Sequence, residues 1–217
     1  MMVKLNGPII KPKSGDVKKI VMFLHGYGAN GEDLISLSSV WIDDLPNTLF
    51  VSPNAPFKCN FGENSFQWFE LQQRTENEIY NGLKKIGPIL NHFIDNLLEK
   101  YNLSIEDLFV VGFSQGTITA LYHLNKREKA CAGIIGYSGL LFEDKDFEKN
   151  IKSRSPILLY HGKNDSVIGF ESSNSANERL KKLGFEVDCI IQDNLEHGID
   201  MNGLDAGKKF FKKKINV

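Results

Sequence analysis

Cysteine, surplus charge of one sign and long apolar runs are all scarce in this sequence, and each scarcity removes a class of protein. Cys59, Cys131 and Cys189 are few, odd in number and far apart. That fits unpaired thiols in a reducing compartment better than a disulfide framework. The 26 Lys and Arg residues nearly balance the 27 Asp and Glu residues, leaving a formal net charge of -1. Such a chain has no long-range field to gather nucleic acid or anionic lipid. No apolar run approaches the roughly 20 residues that span a bilayer, so stable membrane insertion is not expected. The segment 1–8 lacks the apolar stretch and small-residue cleavage site of a secretory signal. Internal repeats, low-complexity tracts and linkers are also missing. What is left is 217 residues at 41% hydrophobic content, enough for one sizeable core. The expectation is a single domain over 1–217, soluble and cytoplasmic.

Strand and helix signals alternate along that domain. Val3 to Ile10 offers an edge strand limited by Pro8. Lys19 to Leu24, Thr48 to Ser52, Leu108 to Val111, Ala130 to Tyr137, Ile157 to His161 and Glu186 to Gln192 are short apolar runs that read as strands. A helix is expected from Asn30 through Leu34, Leu37 and Val40 or Trp41. A long amphipathic helix follows over Ile79, Leu83, Ile86, Leu90, Phe93 or Ile94, Leu97 and Tyr101, kinked or restarted at Gly87-Pro88. Further helices are expected after Ser114, around Ala176, Leu180 and Leu183 up to Gly184, and from Gly203 to Ile215. The lysines of the last helix (Lys208, Lys209 and Lys212 to Lys214) read as its solvated side rather than as a membrane-binding face. Cys59 to Asn77 shows no period but carries Phe61, Phe66, Trp68, Phe69 and Leu71. The alternation implies an α/β fold with a mostly parallel sheet covered on both faces, whose functional crevice lies at the carboxyl ends of the strands.

One strand end carries Gly112-Phe113-Ser114-Gln115-Gly116, a G-x-S-x-G match. A strand that turns sharply into a helix presents its serine in a strained, exposed position, and small residues on either side let the backbones pass. A serine hydroxyl needs a base to take its proton and a third group to orient that base. Of five histidines, His92 and His123 fall inside helices, while His25 and His161 begin His-Gly pairs that shape loops. His197 follows the last strand and completes the chain order Ser, acid, His. Asp165, on the loop after His161-Gly162, is the preferred acid, with Asp193 as runner-up. Glu143, Asp144, Asp146 and Glu148 read as a solvated loop.

Oxyanion donors are expected from the backbone N–H groups of Gln115, at a helix start, and of Tyr27, between Gly26 and Gly28. Trp68, Phe69 and Leu140 are candidates for an acyl-binding wall, or for ordinary loop packing.

Taken in order, these segments resemble the phospholipase/carboxylesterase branch of the α/β-hydrolases, which includes the acyl-protein thioesterases. Phe23 to Gly28 is similar to that family's oxyanion loop, and Ser52-Pro53-Asn54-Ala55-Pro56 to its proline-rich turn. Ser65 to Phe69 is similar to its aromatic segment, His161 to Asp165 to its acid loop, and Glu196-His197-Gly198 to its histidine loop. The resemblance implies a three-layer α/β-hydrolase domain without a large cap. It implies a hydrolase of carboxylic esters or thioesters, among them lysophospholipids or acylated proteins, needing no metal or cofactor. Two departures stand out: Val167-Ile168-Gly169 where a hydrophobic-proline pair is usual, and Thr117 where a small residue is common. A homodimer through the aromatic loop is a candidate assembly. The rival from another class is a binding module that kept the fold and lost the chemistry. A peptidase on this fold usually brings a cap or propeller domain, for which 217 residues leave no room.

Overall fold

The computed structural model describes residues 4–73 and 75–215. In chain order the elements are β1 (Ile9–Ile10), β2 (Lys19–Leu24), α1 (Gly31–Ile35), β3 (Thr48–Val51), β4 (Phe57–Lys58), β5 (Phe66–Gln67) and α2 (Glu76–Tyr101). They continue with β6 (Leu108–Phe113), α3 (Gln115–His123), β7 (Gly133–Tyr137), β8 (Ile157–Gly162), α4 (Glu171–Lys182), β9 (Val187–Gln192) and α5 (Met201–Ile215).

Seven strands form one sheet in the order β1-β3-β2-β6-β7-β8-β9. Every pairing is parallel except that of β1 with β3. The alternation of side chains along each strand sorts the core into two layers. On β2, Ile20, Met22 and Leu24 face a cluster that takes in Leu83, Ile86 and Leu90 of α2, Ile118 and Leu121 of α3, and Leu180 of α4. Val21 and Phe23 face the opposite cluster, with Leu34 of α1 and Leu204, Phe210 and Phe211 of α5. Both faces of the sheet are therefore covered. This is the three-layer arrangement expected from the alternation.

Several boundaries differ from expectation. The edge strand is only Ile9–Ile10, because Pro8 has no N–H to give to the ladder; Val3 lies outside the described residues. The helix after Asn30 tightens to a 3-10 turn over Ser36–Val40, where the Ser36 and Ser39 hydroxyls each donate to the carbonyl three residues back at 2.8 Å. Helix α2 runs unbroken through Gly87-Pro88. Pro88 faces solvent, on the side of the helix where a carbonyl left without its N–H is open to water and the ring meets no packed neighbour. The aromatic loop contributes β5, which pairs antiparallel with β4 just before the loop begins. The lysines of α5 turn outward, with Lys208 and Lys212 on Asp44 at 2.5 and 2.7 Å and Lys213 on Glu186 at 3.2 Å. Among the described residues no helix is long and apolar enough to cross a membrane.

Candidate active site

Ser114 occupies the turn between β6 and α3 with φ 52° and ψ -114°, a region an L-residue enters only when its surroundings hold it there. The flanking glycines explain how. A β-carbon on Gly116 would fall 1.8 Å from the Leu24 carbonyl oxygen, and one on Gly112 would fall 2.5 Å from the Thr117 nitrogen. Larger residues at either position would push α3 off β2 and β6. The Ser114 N–H donates to the Tyr137 carbonyl at 2.9 Å, fixing the elbow to the end of β7.

Asp165 and His197 come from different loops and meet. His197 Nδ1 lies 2.7 Å from Asp165 Oδ2. Asp165 Oδ1 accepts the N–H groups of Val167 and Ile168, both at 2.9 Å. Burial, the largest influence on this carboxyl, favours its neutral form. The Ile168 N–H, the His197 imidazole and the Val167 N–H together outweigh it and hold the group below the usual carboxylate range. Main-chain bonds join the two loops: Lys163 N–H to the Gln192 carbonyl at 2.8 Å, and Asn164 N–H to the Leu195 carbonyl at 2.9 Å. Gly162 permits this approach, since a β-carbon there would lie 2.3 Å from the Leu195 oxygen. Asp193, the runner-up, is exposed and paired with Lys163 at 2.9 Å.

The imidazole of His197 packs on Phe113, the neighbour of Ser114, with ring centroids 5.0 Å apart. Among the described residues no hydrogen bond joins the Ser114 hydroxyl to His197; such contacts in unliganded sites often tighten only with substrate.

The loop after β2 reaches the serine from the other side. A β-carbon on Gly26 would stand 3.5 Å from Ser114 Cβ. His25 anchors this loop: its Nδ1–H donates to the Gly26 carbonyl at 2.8 Å, and its Nε2 accepts the Ala55 N–H at 2.9 Å. Burial lowers the His25 pKa, against the Gly26 bond and the charge of Asp33, so the ring is a neutral clamp.

Trp68 and Phe69 do not form an open wall. They are 0% and 1% exposed, because the loop serves as internal scaffolding. The Trp68 indole N–H donates to the His25 carbonyl at 2.8 Å. The Gln115 side chain accepts the Trp68 backbone N–H at 2.8 Å and donates to the Phe69 carbonyl at 2.7 Å. Leu140 is half-buried, packed against the core.

Three features were missed from sequence. Phe61 is 72% exposed and meets Tyr27 edge-on with centroids 5.5 Å apart, but nothing distinguishes it from the other aromatics of its loop. Ser138, at φ 46°, is buried and donates through Oγ to the Gly198 carbonyl at 3.2 Å, steadying the histidine loop. Its place just past the end of β7 was the available signal. The side-chain role of Gln115 was not expected either.

Comparison with known proteins agrees with this architecture. An acyl-protein thioesterase 1 of Gibberella zeae is 24% identical over 96% of this chain and 95% of its own length. That of Candida albicans is 30% identical over 82% of this chain and 83% of its own. A solved structure, esterase PE8, superposes with a TM-score of 0.94 at 36% identity, covering 98% of this chain and all of that one. The phospholipase/carboxylesterase family profile matches residues 5–215. With an elbow serine at the end of its central strand and that match over nearly its whole length, the chain belongs to the phospholipase/carboxylesterase family of α/β-hydrolases.

Proposed function

We propose that the chain is a serine esterase that cleaves carboxylic esters and thioesters through an acyl-enzyme on Ser114, with His197 as base and Asp165 as orienting acid. The observation that carries this reading is the 2.7 Å contact of His197 Nδ1 with Asp165 Oδ2 beside the strained elbow. With Nδ1–H given to the carboxylate, Nε2 is the nitrogen that takes the Ser114 proton as Oγ bonds the acyl carbon. The carbonyl π pair moves onto oxygen, and the backbone N–H groups of Tyr27 and Gln115 receive that oxyanion. As the tetrahedral species collapses, the bond to the alcohol or thiol breaks, and the leaving group departs with the proton from Nε2. Water then repeats the sequence on the acyl-enzyme and frees the acid. The steps balance in atoms and charge without a metal or organic cofactor.

Thioesters enter this reading because relatives bearing the name acyl-protein thioesterase match along most of their length. Leu140 remains the candidate acyl contact. A cytoplasmic setting fits the free Cys59, Cys131 and Cys189.

Ser114→Ala is expected to keep the fold and lose about a thousandfold or more of kcat on a short p-nitrophenyl ester. Near-wild-type turnover would sink the assignment. A fluorophosphonate probe separates the esterase from a catalytically silent module, since only the former bonds covalently at Ser114. A chain-length series of esters against matched thioesters, compared by kcat/KM, then ranks the substrates.

A further inference from the structure

His161, on β8, lies behind the proposed acid, fully buried, and no step above uses it. Its Nε2 is 3.0 Å from Asp165 Oδ2 and 2.8 Å from the Ile168 carbonyl oxygen. Its Nδ1 is 2.7 Å from the hydroxyl of Ser173 in the first turn of α4. An ionised carboxylate and a carbonyl are acceptors only, so Nε2 carries a hydrogen shared between them. In the neutral ring Nδ1 is then an acceptor, and Ser173 donates to it.

We infer that His161 is a positioning residue for the hydrolytic reaction, locking the Asp165 carboxylate so that its Oδ2 aims His197 at Ser114, with Ser173 holding the required tautomer. This deepens the serine-esterase reading and rests on Asp165 being its acid. An ionised carboxylate has about four acceptor positions. Here all four are taken: two backbone N–H groups on Oδ1, and two imidazole N–H groups on Oδ2. A carboxylate so filled rotates about its Cβ–Cγ bond only by breaking one of these bonds. Removing the His161 donor leaves Oδ2 tied to His197 alone, and the pair drifts together. A base misplaced by about 1 Å costs up to roughly a hundredfold in rate. The departure at Val167-Ile168-Gly169 falls on the same assembly, since Ile168 both donates to Asp165 and accepts from His161.

The test compares two amides at position 161 in the full chain. Glutamine carries its N–H close to the place of the imidazole Nε2, whereas asparagine reaches only the place of Nδ1. His161→Gln is expected to stay within about threefold of wild-type kcat. His161→Asn is expected to lose about 10- to 100-fold in kcat with KM within about twofold, and the fluorophosphonate labelling rate should fall in parallel. In an Asp165→Ala background, adding His161→Asn should slow labelling by no more than about twofold, because the partner is already gone. Equal losses for the two amides, a loss confined to KM, or an undiminished effect in the Asp165→Ala background would overturn the inference. Should melting show that His161→Asn does not fold, Ser173→Ala decides. It leaves the ring in place, and a two- to fivefold fall in kcat is expected, no change being contrary. Wild-type protein that takes no probe, or a Ser114→Ala variant that takes it as well as wild type, would instead remove the esterase reading beneath.

Discussion

Asp165 and Asp193 sit on neighbouring loops and carry the same charge, but their surroundings assign them opposite fates. The Asp165 side chain is fully buried and filled with donors, whereas Asp193 is 71% exposed beside a surface lysine. Asp165→Asn is therefore expected to cost about a thousandfold or more in kcat, because an amide N–H in place of an oxygen disturbs the imidazole tautomer. Asp193→Asn should change kcat less than twofold, since an exposed ion pair contributes little. Steady-state kinetics on one ester settles the comparison, and the reverse ranking would move the acid role. At this scale chain order and strand ends point to Ser114, Asp165 and His197, and of these the structure joins Asp165 to His197 at 2.7 Å and puts Ser114 on the elbow beside them. Burial was harder to read. Trp68 and Phe69 look like binding aromatics until Gln115, 46 residues or more away, is seen to hold their backbone. Asp144 reads as solvated, yet its side chain is 11% exposed near Lys126 and accepts from the Tyr122 hydroxyl. Such pairings join distant segments and leave no local trace in the sequence.

Between elements, α3 packs on β7 in a way that accounts for Thr117. The room for its side chain is made across the interface by two glycines. A β-carbon on Gly136 would lie 2.6 Å from Thr117 Cγ2, and one on Gly139 would lie 2.4 Å from Thr117 Cβ. The threonine hydroxyl also donates to the Tyr137 carbonyl at 2.9 Å. Gly136→Ala is expected to destabilise by about 1–3 kcal/mol through overpacking. Adding Thr117→Ala removes the clashing methyl, so the double variant should lose less than the two single variants together. Denaturant unfolding measures all three, and strict additivity would contradict the packing argument. Elements with strong local patterns were readable at this level: β2 matches its apolar run residue for residue. The turn over Ser36–Val40 was not, because apolar spacing there mimics a helix while serine hydroxyls compete for the carbonyls.

For the whole molecule, acid sensitivity follows from histidines buried without charge. His123 sits between α2 and α3, where burial, with Lys126 adding to it, pushes its pKa down to about 3 against the hydrogen bond that its ring gives to the Leu83 backbone. His25 is lowered by burial as well. The unfolded chain binds these protons near pH 6.5, whereas the folded chain refuses them. Stability is thus fully present above pH 6.5 and falls as pH drops toward about 3. The slope is about 1.4 kcal/mol per pH unit for each group still neutral in the fold. His123→Phe should flatten the decline between pH 6.5 and 5, as measured by urea midpoints; an unchanged slope would rule out His123 as its source. The parallel order of the sheet was evident from alternation, but the match of α2 to α3 was not. It depends on bare Gly87, where a β-carbon would fall 2.7 Å from the His123 ring.

The stitching of the acid loop to the histidine loop has an evolutionary corollary. Main-chain bonds from Lys163 and Asn164 hold that junction, so the exposed side chains at 193 and 196 are free to diversify while the spacing of Asp165 and His197 is inherited unchanged; Asn194 between them, at φ 58°, is limited to residues that tolerate a left-handed backbone. Position 162 carries the opposite burden: any side chain there would prise the two loops apart. A library that randomises positions 193 and 196 should thus remain rich in active clones, whereas one that randomises residue 162 should return almost only the parental glycine.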